Sequence, residues 1–202
     1  MNTAVATRDR LLAVAGDLFS REGYDAVSVR DITRRAEANL GAVTYHFGSK
    51  QALYHAAIER LSRPFTDGFA RAASAPGSAL DRLEAIVRFA ITRNLTEHDP
   101  LLRELATDRP LPPPLVRMMK RNLTIVMRLI RDGQRDGTVR RGKPTYMALT
   151  LMAHALFFRV AGRVIPEVLG VNAANPRTRA AIIDHVTANV RRALTPAPRG
   201  AS

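Results

Sequence analysis

Apolar residues along the chain recur at the three- and four-residue intervals that are typical of amphipathic helices. The first such stripe consists of Leu11, Leu12, Ala15, Leu18 and Phe19. Gly23, followed by Tyr24, is expected to end this helix, since glycine is common just past a helix end. We find neither the alternating pattern of a strand nor an internal repeat. The sequence therefore predicts an all-α fold of about nine helices.

The segment from Ser28 to Lys50, SVRDITRRAEANLGAVTYHFGSK, predicts two short helices joined by a tight turn. Ser28 can cap the first helix, and Asp31, three residues later, completes a capping box. The buried face of this helix would consist of Val29, Ile32 and Ala36. Such a helix pair can place its second helix in the major groove of DNA.

The second helix has an unusual outer face. Asn39 is expected to cap it through the side-chain oxygen, and Leu40, Val43 and Phe47 are expected to face inward. The residues left facing outward are small, polar or aromatic rather than charged: Gly41, Ala42, Thr44, Tyr45 and His46. Small residues let a helix approach a groove closely, while Thr and Tyr can contact base edges, thymine methyl groups and phosphates.

Residues from about 7 to 55 resemble the DNA-binding domain of TetR/AcrR-family transcriptional regulators. The segment TRDRLLAVAGDLFSREGYDAVSV is similar to the first helix of that family, and Thr44-Tyr45-His46-Phe47-Gly48-Ser49-Lys50 is similar to its closing signature. The resemblance implies an N-terminal helix-turn-helix domain over residues 1–52 and a helical ligand-binding and dimerisation domain over 53–194. Residues 195–202 are expected to form a disordered tail.

The resemblance also implies function: a homodimeric repressor that binds a palindromic operator and is released by a small molecule. The residues expected to contact DNA are Ser28, Arg30, Asn39, Gly41, Ala42, Thr44, Tyr45, His46 and Lys50. For three of them another role stays open. Tyr45 could be a partly buried packing residue, His46 could cap or pack the helix end, and Lys50 could be a solvated lysine.

Two positions depart from the pattern of the family. Glu37 occupies the inter-helix turn where many members have glycine, which adopts a left-handed backbone at lower cost. Its carboxylate would also repel phosphate. Thr44 stands where many members have tyrosine, so the base contacts are not fixed by the resemblance.

The remaining helices are expected to hold a ligand pocket and a subunit interface. The candidate pocket residues are Phe65, Phe69, Phe89, Arg93, Met118, Met119, Leu123, Met127, Met152, His154 and Phe158. Ordinary core packing is the alternative for each of them, and His154 could also belong to the subunit interface. The candidate interface residues are Tyr146, Leu149, Met152, Leu156, Phe157, Val160, Ile182, Ile183, Val186 and Val190. The segment 145–164 is apolar nearly all round, which favours two packing partners.

Composition limits the other functional classes. The chain has no cysteine, which excludes thiolate catalysis and disulfides, and the five histidines lack metal-ligand spacing. With no phosphate-binding loop or nucleophile turn, an enzyme is disfavoured, and no cofactor or metal is expected. MNTAVATRDR lacks the apolar core of a signal peptide, and no apolar run is long enough to span a bilayer, so we expect a cytoplasmic protein.

The net charge of +13 gives little support for DNA binding, because residues 1–50 contain seven Lys or Arg against six Asp or Glu. The excess lies in the C-terminal body, where it could speed non-specific association, favour an anionic ligand or reflect an arginine-rich genome. Near the turn, only Arg30, Arg34, Arg35 and Lys50 favour phosphate contact. A basic protein that coats DNA without regard to sequence therefore stays open as an alternative. A second alternative, which does not depend on the charge, is an activator of the same family.

Overall fold

The computed structural model of the protein describes residues 3–96, 104, 108–161 and 164–197. These residues form nine helices and no strand, which confirms the predicted all-α fold. The helices are α1 (Thr3–Glu22), α2 (Val29–Arg35), α3 (Ala42–Phe47), α4 (Lys50–Ala73), α5 (Ala79–Thr96), α6 (Pro113–Asp136), α7 (Pro144–Ala161), α8 (Val164–Leu169) and α9 (Pro176–Leu194).

The chain divides into two compact units, and the first contains the N-terminal helices. Its described residues are 3–65, 104 and 108–119. The core of this unit includes Leu11, Ala15, Leu18, Phe19, Ile32, Val43, Leu53, Ala57 and Leu115. This division differs from the boundary expected at residue 52, because the first turns of α4 and the start of α6 pack onto the N-terminal core.

Local signals explain the ends of the helices in the first unit. The whole apolar stripe of α1 is buried, and Gly23 ends the helix with a φ of 85°, as predicted. Ser49 caps α4 by accepting a hydrogen bond from the backbone N–H of Ala52 at 3.1 Å. The helix then runs to Ala73 without a break at Pro64.

The second unit contains the described residues 66–96, 120–161 and 164–197. In this unit α5 packs against both α7 and α9. Ser78 and Asp81 form a reciprocal cap at the start of α5, since the N–H of Ser78 donates to Asp81 Oδ2 at 2.9 Å and the N–H of Asp81 donates to Ser78 Oγ at 3.2 Å. Arg191 of α9 binds Asp81 and Glu84 of α5 at 2.9 and 2.6 Å, which ties the two helices together.

The last helix, α9, ends in a hydrogen-bonded C-cap. Thr195 donates both its backbone N–H and its hydroxyl to the carbonyl of Arg191, at 2.9 and 2.8 Å. Thr195 is thus the C-cap of α9 and not, as was expected, the first residue of a disordered tail. Residues 198–202 lie outside the described residues.

Candidate nucleic-acid interface

The first helix of the candidate interface, α2, is fixed by its predicted cap. Ser28 has an extended backbone, and its hydroxyl accepts a hydrogen bond from the N–H of Asp31 at 3.1 Å. The Ser28 hydroxyl also donates to the Asp31 carboxylate. These bonds, together with the charges of Arg34 and Arg35, lower the pKa of Asp31 below its ordinary value. Asp31 therefore stays ionised in the first turn of α2, where a negative charge is favourable.

The turn between α2 and α3 contains the strained residue that the sequence predicted. Glu37 adopts a φ of 50°, in the left-handed region, which costs a side chain on the order of 1 kcal/mol more than glycine. Two hydrogen bonds hold the turn in place: the N–H of Ala38 donates to the carbonyl of Thr33 at 3.0 Å, and Arg10 Nε of α1 donates to the carbonyl of Ala36 at 3.2 Å. The entry to α3 is therefore fixed from both sides.

The start of α3 differs from the sequence prediction in three ways. The helix begins at Ala42 with Gly41 as its N-cap, and no side chain caps it. The expected side-chain cap by Asn39 is wrong, since only its backbone carbonyl accepts, from the N–H of Ala42 at 3.0 Å. Leu40 was expected inside but is 53% exposed, and Ala42 was expected outside but is 7% exposed. Because the helix starts later than predicted, Leu40 belongs to the turn and Ala42 to the buried side.

The outer surface of α3 is polar and aromatic. Tyr45 is 81% exposed, Thr44 is exposed, and His46 is half-buried. The ring of His46 lies 4.8 Å from that of Tyr45, with an interplanar angle of 78°. An open depression of about 520 Å³ lies beside these rings and is also lined by Thr7, Glu37 and Asn39. The exposure of Tyr45 contradicts the alternative that it packs inside.

Some of the cationic side chains near the turn form ion pairs with carboxylates of the same chain. Arg34 pairs with Asp31 at 2.9 Å, and Arg35 lies 3.7 Å from Glu22. Arg30 is exposed on α2. All of these side chains lie at the surface, where ion pairs contribute little to stability.

Lys50 is half-buried rather than freely solvated. Its Nζ lies 4.2 Å from the centre of the Tyr24 ring, and Arg109 Cζ lies 4.2 Å from the same ring. Burial lowers the pKa of Lys50, and the charge of Arg109 lowers it further, while Asp25 raises it. A cation over an aromatic face is stabilised by about 0.5–1 kcal/mol at an exposed site.

Sequence reasoning missed the contribution of Arg109 to this surface. Its guanidinium pairs with Asp25 at 3.0 Å, across 84 positions in the sequence. No local spacing connects these residues. The only signal was the proline-rich stretch Pro110-Leu111-Pro112-Pro113-Pro114, which favours an extended segment that can reach across a surface.

The candidate pocket residues do not all belong to the C-terminal body. Phe65, Met118 and Met119 lie in the first unit, and both methionines pack against its core. Their contribution to a ligand pocket stays a prediction. The candidates in the second unit are Phe69, Phe89, Arg93, Leu123, Met127, Met152 and His154. His154 Nδ1 lies 2.7 Å from the carbonyl of Thr150, and the side chain of Phe158 lies outside the described residues.

The two helices expected at the subunit interface behave differently. As predicted, α7 is apolar on more than one side. The buried side consists of Met147, Ala148 and Leu151, and a second apolar face is exposed. That face consists of Tyr146, Leu149, Met152, Leu156 and Phe157. In α9 the expectation is corrected, because Ile183, Val186 and Val190 are buried on a helix that packs against α5. Ile182 is half-buried, and the side chain of Val160 lies outside the described residues.

The described part of the chain lacks two other kinds of site. No group of three or more His, Asp or Glu side chains there could hold a metal ion. None of the helices described is both long and apolar enough to cross a membrane.

Comparison with known proteins identifies the N-terminal unit. Residues 11–57 match the family described as bacterial regulatory proteins, tetR family. The N-terminal domain of the chain belongs to the TetR family. The matched residues run from the apolar stripe of α1 through α2 and α3 into α4, so they include every residue expected to contact DNA. This confirms the family that the sequence resembled.

TetR-family relatives extend the comparison beyond this domain. The chain is 34% identical over 107 residues to the HTH-type transcriptional repressor KstR of Rhodococcus jostii, a match covering 52% of this chain and 48% of that repressor. The matched part thus spans about half the length of this relative.

Solved structures share the fold over most or nearly all of the chain. A TetR transcriptional regulator from Chloroflexus aurantiacus has a TM-score of 0.74 at 18% identity, covering 98% of this chain and all of that one. AibR in complex with isovaleryl coenzyme A and operator DNA has a TM-score of 0.62 at 16% identity, covering 76% of this chain and 86% of that one.

Proposed function

We propose that the protein is a homodimeric transcriptional regulator that binds a palindromic operator, represses transcription there and is released by a small molecule. The observation that carries the proposal is the surface of α3. Tyr45 is almost fully exposed on a short helix whose entry is held by Arg10 and by the turn at Glu37. A rigid helix with an uncharged, aromatic outer face suits insertion into a major groove.

The DNA contacts divide into two kinds. Thr44, Tyr45 and His46 lie on the outer side of α3, where they would reach base edges and nearby phosphates. Ser28, Arg30 and Lys50 lie at helix starts and would position the domain on the backbone. To reach a phosphate, Lys50 would leave the Tyr24 ring, and the charge-assisted bond that replaces this contact is stronger than the cation–π contact. Asn39 and Gly41 line the approach to the groove, whereas the side chain of Ala42 is too buried to take part.

Dimerisation is supported by the apolar face of α7. Tyr146, Leu149, Leu156 and Phe157 are exposed along one helix, and a contiguous apolar patch of this kind marks an interaction surface. A second copy of the chain would cover it and provide the second recognition helix. Two such helices about 34 Å apart read the two halves of a palindrome.

Ligand response is proposed for the second unit, by analogy with AibR, which was solved with isovaleryl coenzyme A. Phe69, Phe89, Leu123 and Met127 provide the apolar and adaptable side chains that a pocket of this kind uses. A ligand releases DNA only if it binds one arrangement of the protein more tightly than another. Such a regulator needs no catalytic chemistry and would act in the cytoplasm, where its operator lies.

The experiment that tests the proposal is selection of bound duplexes from a random pool, followed by footprinting. We expect two symmetric half-sites. Tyr45→Ala and Lys50→Ala should each weaken binding to the selected duplex at least tenfold, while Arg128→Ala, which removes a cation from the exposed face of α6, should leave it unchanged. Uniform protection without half-sites would support a protein that coats DNA and would contradict the proposal. A promoter fusion carrying the selected site then distinguishes repression from activation.

A further inference from the structure

Leu40 is an exposed apolar side chain at the edge of the candidate interface. Among the described residues of the first unit, the large apolar side chains that are exposed are Val5, Leu40 and Tyr45. Leu40 lies in the turn that leads into α3, one residue before the N-cap Gly41. Two of the three exposed apolar groups thus lie on the surface that faces DNA in the proposed function.

The backbone fixes Leu40 in this position. The N–H of Ala42 donates to the carbonyl of Asn39 at 3.0 Å, which closes a turn around Leu40 and Gly41. Ala42 and Val43 occupy the core side of the helix start, with 7% and 1% exposure. The leucine cannot turn inward without displacing them, so its side chain is presented outward by a rigid turn.

We propose that Leu40 contacts the C5-methyl group of a thymine in each operator half-site. The inference rests on the proposed function and adds a base preference to it. In the major groove, thymine is the base that presents a methyl group, and the other base edges present hydrogen-bonding groups. Leucine has no donor or acceptor, so contact with those edges would desolvate a polar group without compensation. Contact with the methyl group instead removes two apolar surfaces from water.

Uracil substitution tests this contact directly, because uracil differs from thymine only by the missing methyl group. The probe is the duplex selected by the wild-type protein, with each thymine replaced in turn by deoxyuridine. At one position in each half-site, wild-type affinity should fall about fourfold, the fold-change that corresponds to about 0.8 kcal/mol for one buried methyl group. Leu40→Ala should bind the unmodified duplex about equally weakly and should show no further loss with uracil at that position.

Two control variants locate the effect. Val5→Ala removes an exposed apolar group of the same unit and should keep the full sensitivity to uracil, and Tyr45→Ala should keep it at the Leu40 position. Leu40→Gln, selected anew from the random pool, should lose the thymine preference there, since glutamine suits adenine. Because Leu40 is half exposed, Leu40→Ala and Leu40→Gln are both expected to fold, which thermal melting would verify.

The outcomes separate the two proposals. If no symmetric site can be selected, the proposed function fails. If a site is selected but the effects of uracil and Leu40→Ala add at every thymine, the function stands and the Leu40 contact is overturned. An unchanged thymine preference in the Leu40→Gln selection would overturn it independently.

Discussion

Arg10 of α1 reaches across 26 positions in the sequence to donate a hydrogen bond from Nε to the backbone carbonyl of Ala36 at 3.2 Å. Ala36 ends α2, so this bond holds the turn that sets the direction of α3. A charged donor on a carbonyl that is partly buried stabilises the turn more than a neutral hydrogen bond would.

We therefore expect Arg10→Met, which keeps the apolar stem and removes the donors, to lower the free energy of unfolding by about 1 kcal/mol. DNA affinity should fall several-fold because the turn loosens. Arg21→Met is the matched control: it also removes a cation from α1, but one that pairs with Asp17 of the same helix at 2.8 Å. Denaturant titration and binding to the selected duplex measure both effects. Equal losses of stability and DNA affinity in the two variants would show that the missing positive charge, and not the missing hydrogen bond to Ala36, causes the effect.

Glu37 combines two effects that two substitutions can separate. Glu37→Gly removes both the left-handed strain and the charge, so it should raise stability by about 1 kcal/mol and tighten DNA binding. Glu37→Gln removes the charge alone, so it should tighten DNA binding while stability stays within about 0.5 kcal/mol of the wild type. Thermal melting and salt-dependent binding distinguish these effects. Weaker DNA binding by Glu37→Gln would mean that the carboxylate makes a favourable contact, such as accepting from a cytosine amino group.

The exposed face of α7 predicts the oligomeric state. Leu149 is 54% exposed, and Leu149→Glu would place a charge in the proposed subunit contact without disturbing the buried side of the helix. We expect sedimentation to show a shift from dimer to monomer and operator binding to be lost, since burying an unpaired charge costs several kcal/mol. Thr124→Glu, on the exposed side of α6, is the control and should leave the dimer intact. A wild-type monomer would contradict the proposed homodimer.

Asp81 makes the stability of the second unit depend on acid. Hydrogen bonds from Ser78 and Arg191 lower the pKa of Asp81 from 3.8 to about 2. A depressed pKa in the folded state means that the contribution to stability is present above pH 4 and is lost as the pH falls towards 2. Asp81→Asn should therefore destabilise the protein at pH 7, and its deficit should shrink between pH 4 and pH 2.

Denaturant titration over that pH range measures this effect of Asp81. Asp67→Asn, which changes an exposed carboxylate of α4, is the matched control and should follow the wild-type profile. A constant deficit of Asp81→Asn at all pH values would show that its ionisation is not what stabilises the contact with α9.

Much of the fold could be predicted from the sequence because its signals are local. The stripe of α1 and the Ser28 cap depend on residues within one or two turns of each other. The strain at Glu37 was indicated instead by the family pattern, which favours glycine at this turn. The start of α3 was predicted wrongly, because a side-chain cap by Asn39 competed with a backbone turn that only packing decides. As a result, Leu40 is exposed although it was expected to be buried, and Ala42 is buried although it was expected to be exposed.

The contacts made by distant segments could not be predicted. Arg109 meets Asp25 and Tyr24, and Arg191 meets Asp81 and Glu84, over separations to which no spacing rule applies. Likewise, the burial of Val186 and Val190 depends on where α5 packs. An apolar stripe shows that a helix has a partner, but not whether that partner is in the same chain or in another copy.

The packing of Leu115 and Arg109 against the N-terminal helices means that the first unit is not a continuous piece of sequence. A truncation after residue 65 would leave an uncovered patch where Leu115 lies, and it would remove one of the two cations over Tyr24. Exchanging domains between relatives at a single cut point would therefore combine the N-terminal helices of one protein with the 108–119 segment of another. A functional chimera of this chain needs two junctions, with the segment around 108–119 transferred together with the helices that it covers.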